Sequence, residues 1–270
     1  MEYRTFYSGN EDGKRQHGVG IYMHIAVTLG EFDIQPVNKR MIGVYGSIYG
    51  INKAVFSVCA PINKKDNVSE VDKFYSTLEQ QVEKVRRKYG PETKIIILDD
   101  FNARVGTDGS DNMTEEYNEN EEVCANGTFG FEETDDNGAE LLTFCVAKQF
   151  KVMDSYFERR DGAYGTWACN RRKDKGFNAV LDHVLVNKEL WGEVITWGVY
   201  IPSVKWNTDH RMVELDLGLW NNETATGAAI GGKQKGNKLE QARERLARRN
   251  FNKHETRAKS CHVCGIHQRE

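Results

Sequence analysis

"KIIILDDFNARVG", residues 94–106, runs an apolar stretch straight into two aspartates, an aromatic and an asparagine. Ile95 to Leu98 reads as a strand suited to burial, and it ends on Asp99, Asp100 and Asn102. A buried carboxylate is costly unless it is paired or bound to a cation. An acid-rich strand end is therefore either a solvated turn or a site. Asp and Asn are ordinary turn formers as well, so this stretch alone leaves both readings open.

The rest of the chain narrows them. With 270 residues there is room for one large domain with a tail, or for two small domains. A composition of 39% hydrophobic and 29% charged residues suits a soluble globular chain. No apolar run approaches membrane-spanning length, and the opening MEYRTFYSGNEDGKRQ has no signal-peptide core. The expectation is an intracellular protein, nuclear or cytoplasmic, with no membrane partner and reduced cysteines. The net charge of -3 hides a division. Residues 221–270 hold 11 Lys and Arg against 5 Asp and Glu, which leaves the body at -9. From Asp108 to Asp136 there are 11 acids and no Lys or Arg. An acidic loop on a near-neutral body does not exclude nucleic acid, and a basic tail mildly favours it.

Strand-like runs recur at 18–27, 54–59, 94–98, 179–186 and 211–217. Between them, Val71, Phe74, Tyr75, Leu78, Val82 and Val85 fall at helical spacing over 69–88, with Ser69 as N-cap. Leu141, Leu142, Cys145, Val146 and Phe150 do the same over 137–150, behind Asn137. Strands outnumber helices without strict alternation, which predicts an α+β fold or a layered sandwich. Residues 1–220 form the expected domain, with a long loop at 106–136. Residues 221–270 read as a linker and a charged tail.

Three separated strand ends carry polar residues of one kind: Asp100 with Asn102, Asp182 with His183, and Asp209 with His210. Each alone is weak. Together they supply carboxylates for a hard divalent cation and a histidine with an acid to orient it, the parts of a metal-assisted hydrolase. In order and separation "LDDFNARVG", Thr166-Trp167, "LDHVLV" and "TDHRMV" resemble the motifs of the endonuclease/exonuclease/phosphatase superfamily. Within it they look most like the craniofacial development protein 2-like group, which derives from LINE-type retrotransposon endonucleases. The resemblance runs from about Tyr3 to Leu219. It implies a four-layer α/β sandwich of two packed, mostly antiparallel sheets with outer helices. It also implies a Mg²⁺-dependent phosphodiesterase, ancestrally a DNA endonuclease. Asp100 would orient or deprotonate the attacking water, and Asn102 would bond the scissile phosphate. His210 would stabilise charge on the phosphoryl oxygens, with Asp182 fixing its tautomer. Asp209 would contribute to the metal site, and Cys59 and Trp167 fall at substrate-facing positions.

The departures from the family pattern matter as much. No residue matches the family's first Asn or its metal-binding Glu, so the resemblance covers a domain without the first strand–helix–strand. A thiol, Cys59, stands where the family has a phenol, and a thiol is a poor donor. Asp99 replaces a glycine and sets a like charge beside Asp100. Two readings follow: an endonuclease whose lost ligand is replaced by Asp99 or a loop acid, or an inactive remnant that binds nucleic acid or protein. A sheet lacking strands would expose an edge and favour association with another chain. In the tail, Cys261, Cys264 and His267 offer three of the four ligands that a closed zinc site needs.

Overall fold

In the computed structural model the described residues are 2–10, 18–25, 32–48, 51–62, 68–107, 125–130, 133–158, 165–168, 179–200 and 208–218. The tail, with Cys261, Cys264 and His267, and most of the acidic loop lie outside them. The strands are β1 (Tyr3–Gly9), β2 (Gly18–His24), β3 (Phe32–Asn38), β4 (Met41–Ile48), β5 (Ile51–Cys59), β6 (Lys94–Asp100), β7 (Phe150–Val152), β8 (Asp182–Asn187), β9 (Val194–Tyr200) and β10 (Met212–Leu217). The helices are α1 (Val68–Tyr89), α2 (Asp136–Lys148) and the single turn α3 (Lys188–Trp191).

Six strands make one sheet in the order β3-β4-β5-β6-β8-β7. The β5–β6 pair is parallel, joined through α1, and the other pairs are antiparallel. Pro36, which cannot donate to a ladder, sits in the edge strand β3. One face of this sheet is covered by α1 and α2. Val71, Phe74, Tyr75, Leu78, Val82 and Val85 of α1 are all buried there with Leu141, Leu142 and Cys145 of α2. The other face carries two separate antiparallel hairpins. Val19, Ile21 and Met23 of β2 pack on Ile42, Val44, Val55 and Cys59. Trp197, Val213, Leu215 and Leu217 of β9 and β10 pack on Val184 and Val186 of β8. Leu98 of β6 touches both clusters and is only half-buried, as is Ile96. The fold is thus the expected layered α+β arrangement. Among the described residues it shows the helix layer, the large sheet and a second layer split in two.

Several boundaries differ from the sequence expectation. Helix α1 already includes Val68, so Ser69 lies inside its first turn and is not the N-cap. Helix α2 is capped by Asp135, whose side chain accepts from Gly138 N, and it closes at Gln149 in the left-handed conformation. That cap turns the chain back, so Phe150 leaves the helical stripe and opens β7, where its ring is still fully buried. The run at 179–186 becomes a strand only from Asp182. Within the long loop, Ala125 and Asn126 are buried, and Asn126 Nδ2 donates to Gly106 O at 3.0 Å.

Burial separates the two faces energetically. Leu78 has no exposed surface beneath α1, and Leu→Ala at such a site costs about 2–5 kcal/mol. Leu98, half-open between the hairpins, has less to lose. Urea denaturation of Leu78→Ala and Leu98→Ala should show the first costing at least about twice the second, in line with area removed from water. Equal costs would mean that the floor between the hairpins is fully covered.

Candidate active site

Strand β6 lies in the middle of the large sheet, and its last residue is flanked on both sides. Asp100 is in register with Cys59 of β5 and with Asp182 of β8. The sheet therefore brings two carboxylates and a thiol into one row across three strands. Asp99, one residue earlier, has φ 113, a left-handed value that an L residue rarely adopts. Its Oδ2 accepts from Ser57 Oγ at 2.8 Å.

Asp100 is buried and both of its oxygens are engaged by Asn102. The Asn102 backbone N–H donates to Oδ1 at 2.9 Å, and Asn102 Nδ2 donates to Oδ2 at 3.1 Å. The second amide hydrogen of Asn102 goes to Ala60 O at 2.9 Å. Asn102 itself holds φ 47, a conformation that Asn tolerates better than most residues. A contact from its amide to a phosphate requires one of these bonds to be exchanged.

The histidine arrives from the other sheet. His210 Nδ1 lies 3.0 Å from Asp182 Oδ2 and 3.2 Å from Oδ1. A carboxylate accepts, so Nδ1 donates and the tautomer is set. Trp167 connects the two sides: it bridges Ala179, just before β8, and His210. Its indole N–H donates to Asp209 Oδ2 at 3.2 Å. Thr166, beside it, accepts from the backbone N–H of Leu181 and Asp182 at 3.0 and 3.1 Å. The Thr-Trp motif is thus the strap that aligns the Asp182–His210 pair. Cys59 stands next to Asp100 in register, but its thiol is buried in the hairpin cluster. Its partner is Arg40, whose Nη1 donates to Cys59 O at 3.2 Å and lies 3.9 Å from the sulfur.

The crowding of acids shapes every titration here. Burial, with the charge of Asp182 added, pushes Asp100 up to about 7 against the pull of His210 and the Asn102 N–H. Burial likewise raises Asp99, with Asp182 and Asp100 adding to it and the Ser57 hydrogen bond opposing. For His210 burial works downward, but the bond from Asp182 and the charges of Asp182, Asp100 and Asp209 outweigh it and lift it to about 9. Burial pushes the Cys59 thiol up to about 12, so it is neutral at ordinary pH. The aspartates are hard oxygen donors of the kind Mg²⁺ takes. Among the described residues, however, no three His, Cys, Asp or Glu side chains converge as a metal cage. Mg²⁺ commonly uses one or two carboxylates together with substrate phosphate oxygens. Asp209, whose Oδ2 accepts from the Trp167 indole, has a second carboxylate oxygen of that hard type.

His183 follows Asp182 in sequence yet does a different job. Strand alternation sends it to the opposite face, where it is fully buried. Its Nδ1 lies 2.7 Å from Asp154 Oδ1, and its Nε2 lies 2.8 Å from Ala103 O. A carbonyl can only accept, so Nε2 donates. Burial opposes the imidazolium charge, but the charge and hydrogen bond of Asp154, the Ala103 carbonyl and Asp182 outweigh it and raise the His183 pKa. The ring is a staple between β8, the loop after β6 and the 3₁₀ turn Met153–Ser155.

Solved structures share this fold. The endonuclease domain of TRAS1, a telomere-specific non-LTR retrotransposon, superposes with a TM-score of 0.54 at 17% identity, over 80% of each chain. The chain has the endonuclease/exonuclease/phosphatase fold. The Xenopus laevis APE2 catalytic domain gives 0.55 at 16% identity, over 80% of this chain and 76% of that one. The mannosyl-6-phosphatase Bt3783 of Bacteroides thetaiotaomicron VPI-5482 gives 0.51 at 15% identity, again over 80% and 76%. No family model matches the sequence, and no curated protein matches it. In this fold, one scaffold serves nucleases and a sugar phosphatase, so substrate must be argued from the site.

The His183–Asp154 pair is testable on its own. Removing one partner of a buried pair strands the other, at about 3–5 kcal/mol. His183→Ala and Asp154→Asn should each destabilise by that order, and the double variant by clearly less than the sum. Because folding raises the His183 pKa, the pair's contribution is whole below about pH 6.5, the unfolded value. It falls as pH rises through the folded value. Urea midpoints measured from pH 6 to 10 should drop in wild type more than in His183→Ala.

Proposed function

We propose that the chain is a phosphodiesterase-type hydrolase of retrotransposon origin that acts on nucleic acid, DNA in preference to RNA. One observation supports this most: the Asp182–His210 pair stands at the same strand end as a buried Asp100. At neutral pH His210 is charged. With Nδ1 held by Asp182, its Nε2–H serves as donor to a phosphoryl oxygen as negative charge builds there. Asp100, lifted to about 7, is part ionised at the same pH and accepts a proton from an attacking water or orients it. Asn102 keeps both carboxylate oxygens of Asp100 in place. Arg104 and Arg211, close in sequence to Asn102 and His210, bring positive charge for a phosphodiester backbone. Bound Mg²⁺ would be held by Asp209 and would supply Lewis-acid stabilisation of the phosphoryl oxygens.

A second reading, a domain that binds nucleic acid with little or no cleavage, is favoured by two features. No three-ligand cage forms among the described residues, and both amide hydrogens of Asn102 are already engaged. In either reading, the two-stranded hairpins consist of edge strands, and such edges are where another chain would associate by adding strands.

Nicking of supercoiled plasmid with Mg²⁺ and with chelator, from pH 5 to 10, decides between the two. Hydrolysis should rise as Asp100 loses its proton near pH 7 and fall as His210 loses its own near pH 9. His210→Ala and Asp182→Asn should lose about 10²–10⁴-fold in rate. A gel shift of the same DNA without cleavage at any pH selects the binding reading. Cleavage that survives both substitutions, or that ignores pH over this range, rejects the proposed site.

A further inference from the structure

We propose that Asn137 is a positioning residue, acting on Asn102 and through it on Asp100; this rests on the hydrolase reading given above. Asn137 lies in the first turn of α2 and is buried. A polar side chain at that place has a costly position unless both amide hydrogens find acceptors. They do: Nδ2 donates to Asn102 O at 2.9 Å and to Pro61 O at 3.0 Å. The two carbonyls belong to different segments, the exit of β6 and the exit of β5. Asn102 ties the same two segments from its own side, through Ala60 O.

Around this contact the whole first turn of α2 sits on the loop. Asp135 Oδ1 accepts from Gly138 N at 2.8 Å and from Arg104 N at 3.1 Å, and Asp135 N donates to Arg104 O at 3.3 Å. Gly138 is in direct contact with that loop, since a Cβ there would lie 1.9 Å from Arg104 O. The backbone of Asn102 is therefore fixed on both sides of its Cα, its N–H by Asp100 and its C=O by Asn137. Both donors that hold the Asp100 carboxylate come from this one left-handed residue. A shift of the Asn102 backbone about its Cα, out of the conformation these bonds hold, would move both at once. A displacement of about 1 Å at reacting groups is enough to cost on the order of 10²-fold in rate.

The test compares Asn137→Ala with Val82→Ala, a buried α1 substitution far from the loop that serves as a control for lost stability. Amide hydrogen exchange is measured on the free proteins. In Asn137→Ala the N–H of Asn102 and Arg104 should exchange at least about tenfold faster relative to the N–H of Leu78, whereas Val82→Ala should leave that ratio unchanged. On plasmid, Asn137→Ala should lower kcat about tenfold or more with KM within about threefold, and Val82→Ala should change neither by more than about twofold. If Asn137→Ala does not fold, Asn137→Ser, whose hydroxyl can donate to one of the two carbonyls, takes its place. Unchanged protection at Asn102, the same local loss in Val82→Ala, or failure of both Asn137 variants to fold overturns the proposal. A wild-type chain that cuts nothing would sink the hydrolase reading, and the exchange measurement would still decide whether Asn137 holds Asn102.

Discussion

A carboxyl that ends a central strand cannot be left to solvent, and the structure around Asp100 follows from that constraint. Its neighbours on both sides are strands, so its oxygens must be satisfied from the chain that leaves β6. Asn102 does this with a backbone and a side-chain donor, and it must bend left-handed to do so. The bend in turn needs support, which comes from Ala60, from Asn137 and from the capped start of α2. Even with these donors, burial and the charge of Asp182 keep Asp100 far above an ordinary carboxylate. The field of the imidazolium at His210 is the opposing influence, so acid and base at this site set each other's protonation.

Much of the fold was legible because burial leaves a period in the sequence. All six apolar positions read at helical spacing over 69–88 are buried, and β6 and β10 stand where apolar runs and alternation put them. Strands β1, β3, β4, β7 and β9 were not. In β4, "MIGVYGSI" is interrupted by glycines, and β3 is a largely open edge strand carrying Pro36, so neither presents an apolar stripe. The helix ends were misplaced for a related reason. A cap is a local hydrogen bond, and Asn137 and Asp135 are chemically alike as candidates at the start of α2. Only the path of the loop, held to Asp135 through Arg104, selects one of them.

The candidate site shows the same division. Asp100, Asn102, Asp182 and His210 could be named from their strand ends and from the motif resemblance, and the structure does bring them together. The pairing of Asp182 with His210 was implied by the resemblance and is present, whereas the partners of Asp100 and Asn102 could not be named. Asp182 and His183 are adjacent letters, but the pleat separates them onto opposite faces, one toward His210 and the other into a staple with Asp154. Asn137 looked like a helix opener because asparagine favours that place; its grip on two carbonyls depends on three segments that meet only in the fold. Cys59 was read against a family phenol, and its burial beside Arg40 gives the thiol a packing role in the hairpin cluster.

The split of the second layer also has a mechanical side. Asp182 belongs to the six-stranded sheet, whereas His210 leads into a hairpin that, among the described residues, shares no ladder with that sheet. The pair is consequently a clasp across two bodies, closed by Trp167, which bridges the segment before β8 and His210. Sliding of the β9–β10 hairpin over β8 would strain the clasp and the Trp167 bridges while leaving the ladder within the hairpin intact. The alignment of the acid and its histidine is thereby governed by the Thr166-Trp167 strap, bonded to Ala179 on one side and to Asp209 and Arg211 on the other, and by the packing of Trp197, Leu215 and Val184 between the layers.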